Sequence, residues 1–237
     1  MDIIEHCLTE HIPIGDDFYY CFLRNKKDID AIIRLSLLKL WLQLATKSNE
    51  SQVVTAQFQW WYEQNTQWSQ ESAQHPLLKA LPDSQYNQEW LAQAERWLTS
   101  QISSSHAQST SHSIRQEFEA MTGQLIAQAL APGTFQAETD RWEKLGQYWL
   151  LRSALFIMPG SILSPLKQTM ASTDLSRFDA DYRTWYKNQT LARSEPLAQY
   201  LKQIKLWLAC NQKNTQWQTE MYEPSPIRKL VHCYLPW

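Results

Sequence analysis

The order of apolar and polar positions is helical along most of the chain. From Asp28 to about Ala45, residues Ile29, Ile32, Ile33, Leu35, Leu37, Leu38, Leu40, Trp41, Leu42 and Leu44 recur too densely for a one-sided helix. That density predicts a central helix buried on most of its faces. After a polar break from Lys47 to Ser51, the stretch Gln52 to Gln70 spaces Val54, Phe58, Trp61, Tyr62 and Trp68 as one face of an amphipathic helix. His75 and Pro76 open a short helix that Leu81 and Pro82 end, and Gln85 to Ser100 resumes helical spacing through Trp90, Leu91, Ala94, Trp97 and Leu98.

The Ser-rich segment Ser103 to Ser113 holds one Ala as its only apolar residue and predicts a loop. Ser113 then caps a helix through Ile114, Phe118, Met121, Leu125, Ile126 and Leu130, stopped by Ala131, Pro132 and Gly133. A second central helix is expected from Ala137 to about Ile157, closed by Pro159 and Gly160. Further helices are expected over Phe178 to Lys187, Glu195 to Asn211 and Pro226 to Tyr234. No strand pattern longer than four residues emerges. Two apolar helices among amphipathic neighbours describe an all-α orthogonal bundle.

Composition sharpens this picture. With 5 Gly in 237 residues, the chain lacks the residue that hairpins need, which argues against a β fold. The length suits one core, so residues 1–237 are read as a single helical domain. A net charge of −2 with scattered basic residues gives no footprint for nucleic acid. Cys7, Cys21, Cys210 and Cys233 stand apart, with no zinc-ligand spacing. The acidic start MDIIEHCLTEH is unlike a secretion signal, and no apolar run reaches the ~20 residues of a transmembrane segment. A reduced, cytoplasmic protein is the expectation.

Several ordered segments resemble the squalene/phytoene synthase family of head-to-head isoprenoid synthases. Asp17-Phe18-Tyr19-Tyr20-Cys21-Phe22-Leu23, the turn Arg24-Asn25-Lys26-Lys27 and the helix from Asp28 are similar to that family's N-terminal FYY, turn and helix. Gln59-Trp60-Trp61-Tyr62-Glu63 resembles its WW-x-E. His75-Pro76-Leu77-Leu78-Lys79-Ala80-Leu81 resembles its HPL-x-x-AL. Leu145-Gly146, followed by Gly160-Ser161-Ile162-Leu163-Ser164-Pro165, is similar to its later helix and GR-x-YLP. The resemblance covers roughly residues 17 to 166. It implies an isoprenoid-synthase-like bundle around a central apolar cavity, and a prenyl diphosphate or other isoprenoid lipid as ligand.

Chemistry of that kind uses two aspartate-rich motifs whose paired carboxylates hold Mg²⁺ on a departing diphosphate. This chain has no aspartate between Asp30 and Asp83, nor between Asp140 and Asp174. The corresponding helices read Leu40-Trp41-Leu42-Gln43-Leu44-Ala45 and Leu150-Leu151-Arg152-Ser153-Ala154-Leu155-Phe156-Ile157. Apolar side chains cannot ligate Mg²⁺. The expectation is a non-catalytic, pseudoenzyme-like member without cofactor, binding a prenyl lipid or a protein partner. Mg²⁺ is expected only if the family's chemistry survives. An active transferase with a metal-poor site and a plain helical scaffold are the alternatives.

Candidate ligand contacts each have a structural counterpart. Tyr19 and Tyr20 could line a lipid cavity or anchor the core. Arg24, Lys26, Lys27 and Arg34 could hold a diphosphate without metal, or belong to a solvated helix entry. Arg152, inside an apolar helix, needs a carboxylate such as Glu143 or an acid from another helix, or a route to solvent. Asp28 and Asp30 suit a helix N-terminus. His75, His106 and His112 form no recognisable triad.

Overall fold

The computed structural model describes residues 2–22, 28–47, 50–104, 112–132, 139–153, 163, 174–187, 195–213 and 221–234. Among them every regular element is helical, with no strand. The helices are α1 (Ile3–His6), which runs into a π-helical turn (Cys7–His11), then α2 (Asp17–Cys21), α3 (Ile29–Lys47), α4 (Ser51–Trp68) and α5 (Pro76–Ala80). They continue as α6 (Gln85–Ser104), α7 (His112–Leu130), α8 (Thr139–Ser153), α9 (Leu175–Lys187), α10 (Pro196–Cys210) and α11 (Pro226–Tyr234). The loop expected from Ser103 is entered by α6 up to Ser104, and α7 begins at His112. The expected end of α8 near Ile157 lies outside the described residues, as does most of Gly160 to Pro165.

The density of apolar residues in α3 has the predicted result. Every residue from Ala31 to Leu38 is buried, and α3 touches α1, the π turn, α4, α5 and α7. Asp28 starts it by accepting a hydrogen bond from the Ala31 N–H at 3.0 Å, which satisfies an orphan donor of the first turn. α5 starts similarly: Pro76 sits at its first position and His75 Nδ1 accepts from the Leu77 N–H at 3.3 Å.

α7 and α8 form the most extensive helix pair. Gly146 of α8 permits their approach, because a Cβ there would run into the Glu119 carbonyl of α7. Around α3 the aromatic residues pack ring against ring. Trp41 stacks on Trp90 at 5.5 Å and meets Trp61 at 5.8 Å, while Phe58, Trp97, Phe118 and Trp149 contact one another in turn. The buried indoles mostly find acceptors: Trp90 donates to the Leu125 carbonyl at 3.0 Å and Trp97 to Thr122 Oγ1 at 3.0 Å. Beyond α8, Tyr148 meets Tyr200 and Trp207 of α10, and Phe18 of α2 stacks on Tyr200.

Candidate functional site

Where α2, α8, α10 and the segment before α11 converge, a cleft of about 230 Å³ opens. Its walls are aromatic, from Phe18, Tyr148, Trp149, Tyr200 and Trp207, and its mouth carries Asp16, Lys39, Arg152 and Glu223. The aromatic walls follow from packing: α10 buries Tyr200 and Trp207 against α2 and α8. The charged mouth needs another explanation, since charges leave water only when paired.

Asp17 supplies it. Its carboxylate is almost fully buried, yet it accepts a hydrogen bond from the Tyr148 hydroxyl at 2.8 Å and pairs with Arg152 and with Lys229 Nζ, the latter at 2.9 Å. Lys229 reaches in from α11, donates to the Gly15 carbonyl at 2.7 Å and also pairs with Glu223. Arg152 donates through its other nitrogen to Glu223 at 2.6 Å, and its guanidinium stands 5.8 Å from the Tyr148 ring centre. At the edge, Lys39 of α3 pairs with Asp16 at 2.5 Å while Asp16 caps α2 through the Phe18 N–H. Three carboxylates and three cations therefore face one another, each carboxylate with at least one protein cation. Burial and the neighbouring Arg152 push the Lys229 ammonium below its ordinary range, with Glu223 opposing them. Burial raises the Tyr148 phenol well above its usual value, which keeps it a neutral donor to Asp17.

The predicted ligand residues are dispersed. Arg152 is in the cleft. Its partners are acids from elsewhere in the fold, Asp17 and Glu223, while Glu143 instead accepts from Gln116 at 3.4 Å. A residue nine positions back on one helix lies ~13 Å along the axis, too far for a pair. Tyr19 lines a separate shallow trough with Ile4, Leu8 and Ile14. Tyr20 is buried with its hydroxyl on the Pro226 carbonyl at 3.1 Å. Arg34 is locked in the core, donating to Asn87 Oδ1 at 2.5 Å and to the Ala129 carbonyl at 3.2 Å, with Asn87 passing the contact to Asp30 at 3.2 Å. Arg24 and Lys27 lie outside the described residues, as do Lys26 and His106. Asp17, Tyr148, Lys229 and Glu223 were not foreseen. The sequence carried no signal for them: in α11 the apolar pattern of Ile227, Leu230, Val231 and Tyr234 reads as the core face, yet Lys229 and Cys233 are the buried residues.

The two quoted aromatic motifs do meet: the His75 ring sits 4.5 Å from Trp61 and 6.2 Å from Trp60. Burial, with His11 and His6 nearby, lowers the His75 pKa to about 4, so the imidazole is neutral and serves α5 as a cap. Among the described residues no three acidic, His or Cys side chains are placed to hold a metal, and no helix is long and apolar enough to cross a membrane. No protein-family model, curated protein or solved structure matches the chain.

Proposed function

We propose that this chain is a non-catalytic, squalene/phytoene synthase-like binding protein whose cleft takes the polar end of an isoprenoid lipid without metal. The observation that carries the reading is the occupancy of the cleft carboxylates. Asp16, Asp17 and Glu223 are met by Lys39, Arg152 and Lys229, so protein cations stand where a divalent ion would have to bind. A diphosphate would have to take Arg152 and Lys229 away from Asp17 and leave that buried carboxylate unpaired, a cost of several kcal/mol. A neutral oxygen, such as a prenyl alcohol's hydroxyl, meets no such opposition and finds donors and acceptors at the mouth. About 230 Å³ is below the roughly 300–1,000 Å³ of pockets that enclose drug-sized ligands, which suits one end of a chain rather than a whole one.

Trp149 and Trp207 in the cleft wall make the test direct. Titration with farnesol, and separately with farnesyl diphosphate, with and without Mg²⁺, is followed by tryptophan fluorescence together with an assay for released diphosphate. The reading expects saturable quenching by farnesol, indifferent to Mg²⁺, weaker quenching by the diphosphate, and no diphosphate release. Mg²⁺-dependent binding with release would return the chain to the transferases. Absence of binding by either compound would leave a helical scaffold.

A further inference from the structure

The three carboxylates of the cleft differ in how firmly each is committed to its cations. Asp17 lies on the inner side, its side chain 5% exposed, where a charge without partners is costly. Asp16 is held by its cap on the Phe18 N–H as well as by Lys39. Glu223 is the exception. Its side chain is 48% exposed, and a single oxygen, Oε1, serves both Arg152 Nη2, at 2.6 Å, and Lys229 Nζ. A rotation of this side chain returns its charge to water, where an ion pair is worth little.

The backbone does not have to move for that exchange. Asn211, at the end of α10, clasps Tyr222 from both sides: its Nδ2 donates to the Tyr222 carbonyl at 2.9 Å and its Oδ1 accepts from the Tyr222 N–H at 2.9 Å. On the other side of Glu223, Pro224 is buried. Nor do the cations follow Glu223 outward, because Arg152 and Lys229 both stay on Asp17. What leaves is one side chain, and what remains is a fixed pair of cations with one anionic position open between them.

The charge balance says what fills that position. With Glu223 turned away, Lys39, Arg152 and Lys229 face Asp16 and Asp17 among the described residues of the mouth, one positive charge in excess. A single carboxylate restores the balance, whereas a diphosphate brings at least two negative charges. We infer that Glu223 is a displaceable stand-in for a ligand's carboxylate, so that the charged ligands of the cleft are amphipathic monocarboxylic acids, an isoprenoid acid among them. This rests on the reading of the cleft as a lipid site and narrows the head groups it admits. The ligand prevails over Glu223 through its apolar chain, which covers Phe18, Trp149 and Trp207 in the cleft wall and so adds burial that Glu223 does not supply.

Tryptophan fluorescence titration of the full chain with farnesoic acid and with farnesol, in wild type and in E223Q, tests this. Taking the ratio of the two affinities within each protein cancels any general loosening of the fold. In E223Q the ratio should shift toward the acid by about tenfold or more, because an intramolecular competitor is gone. In the wild-type chain a short carbodiimide pulse, with reagent in excess over ligand, should label Glu223 severalfold more in the farnesoate complex than in the farnesol complex, as read by peptide mass spectrometry. A ratio that stays put or moves toward the alcohol overturns the inference, as does labelling of Glu223 that the acid leaves unchanged. In either case farnesol binding would keep the lipid reading standing. Binding of neither compound by either protein would bring down the lipid reading itself, and this inference with it.

Discussion

At the scale of single residues, the chain repeatedly gives a polar side chain a structural duty inside an apolar setting. Gln64, nearly fully buried, accepts from the Gln74 and His75 amides at 2.6 and 3.1 Å and so closes the turn between α4 and α5. His75 is the member whose duty depends on pH. Its pKa is lowered to about 4 by burial first and then by His11 and His6, against about 6.5 in the unfolded chain. Between these values the unfolded chain takes up a proton that the folded one refuses. Its contribution to stability is therefore constant above pH 6.5, falls as pH drops toward 4, and is lost below that. For a ring partly open to solvent, about 1–2 kcal/mol is the expected loss. Burial also lowers His11 and His232, so they act in the same direction. Urea midpoints measured from pH 7.5 to 4.5 should fall, and H75N should flatten the fall, because asparagine keeps the cap acceptor without the titration. An unchanged slope in H75N would place the pH sensitivity elsewhere.

At the scale of elements, the closest helix pair depends on a single missing methyl. Alanine is ordinarily about 1 kcal/mol better than glycine inside a helix. At Gly146, however, a Cβ meets the Glu119 backbone of α7, beside the buried Arg115–Glu119 pair at 2.7 Å. Overpacking of this kind costs about 1–3 kcal/mol or more and cannot be relieved by rotating a side chain. G146A should lose roughly 2 kcal/mol net in denaturant unfolding, and a gain in stability would mean that α7 and α8 slide apart freely. Helices such as α3, α4, α6 and α7 were legible in the sequence because period and density of apolar residues report burial directly. α1 and the π turn were not read, although Ile3, Ile4, Cys7 and Leu8 fall at helical spacing, because polar Thr9, Glu10 and His11 cut the pattern short after about one turn. For the cleft, the need of Arg152 for a carboxylate was legible. That Asp17 would meet it, 135 positions away, was not, because only the assembled fold joins α2 to α8. The seating of α11 was hidden for the same reason: Ile227, Leu230, Val231 and Tyr234 read as a core face, yet Lys229 and Cys233 are buried, because the acids that capture Lys229 lie on other segments.

At the scale of the whole molecule, the Asp17 cluster ties the two ends of the chain to its middle, joining α2, α8, the residues before α11 and α11 itself. Removing one member of such a cluster strands the others. D17A leaves Arg152 and Lys229 facing each other with Glu223 as their remaining partner in the cluster, a change worth about 3 kcal/mol or more. That loss falls on the seam where α11 and α2 meet α10, rather than on α3, so the seam should open before the core does. The cysteines report the difference. Cys21 and Cys233 are fully buried at the seam, with Cys21 Sγ donating to the Asp17 carbonyl at 3.4 Å, while Cys7 is fully buried against the centre and Cys210 is partly exposed. Burial raises the thiol pKa of Cys7, Cys21 and Cys210, which suppresses the reactive thiolate further. In the native protein a disulfide-exchange reagent should therefore modify Cys210 alone on the minute scale. In D17A, Cys21 and Cys233 should become reactive in mild urea while Cys7 stays protected until the global transition, as read by mass spectrometry of the labelled peptides. Equal labelling rates for Cys7, Cys21 and Cys233 would show that the ends and the centre unfold as one unit, and that the cluster fastens no separate part of the molecule.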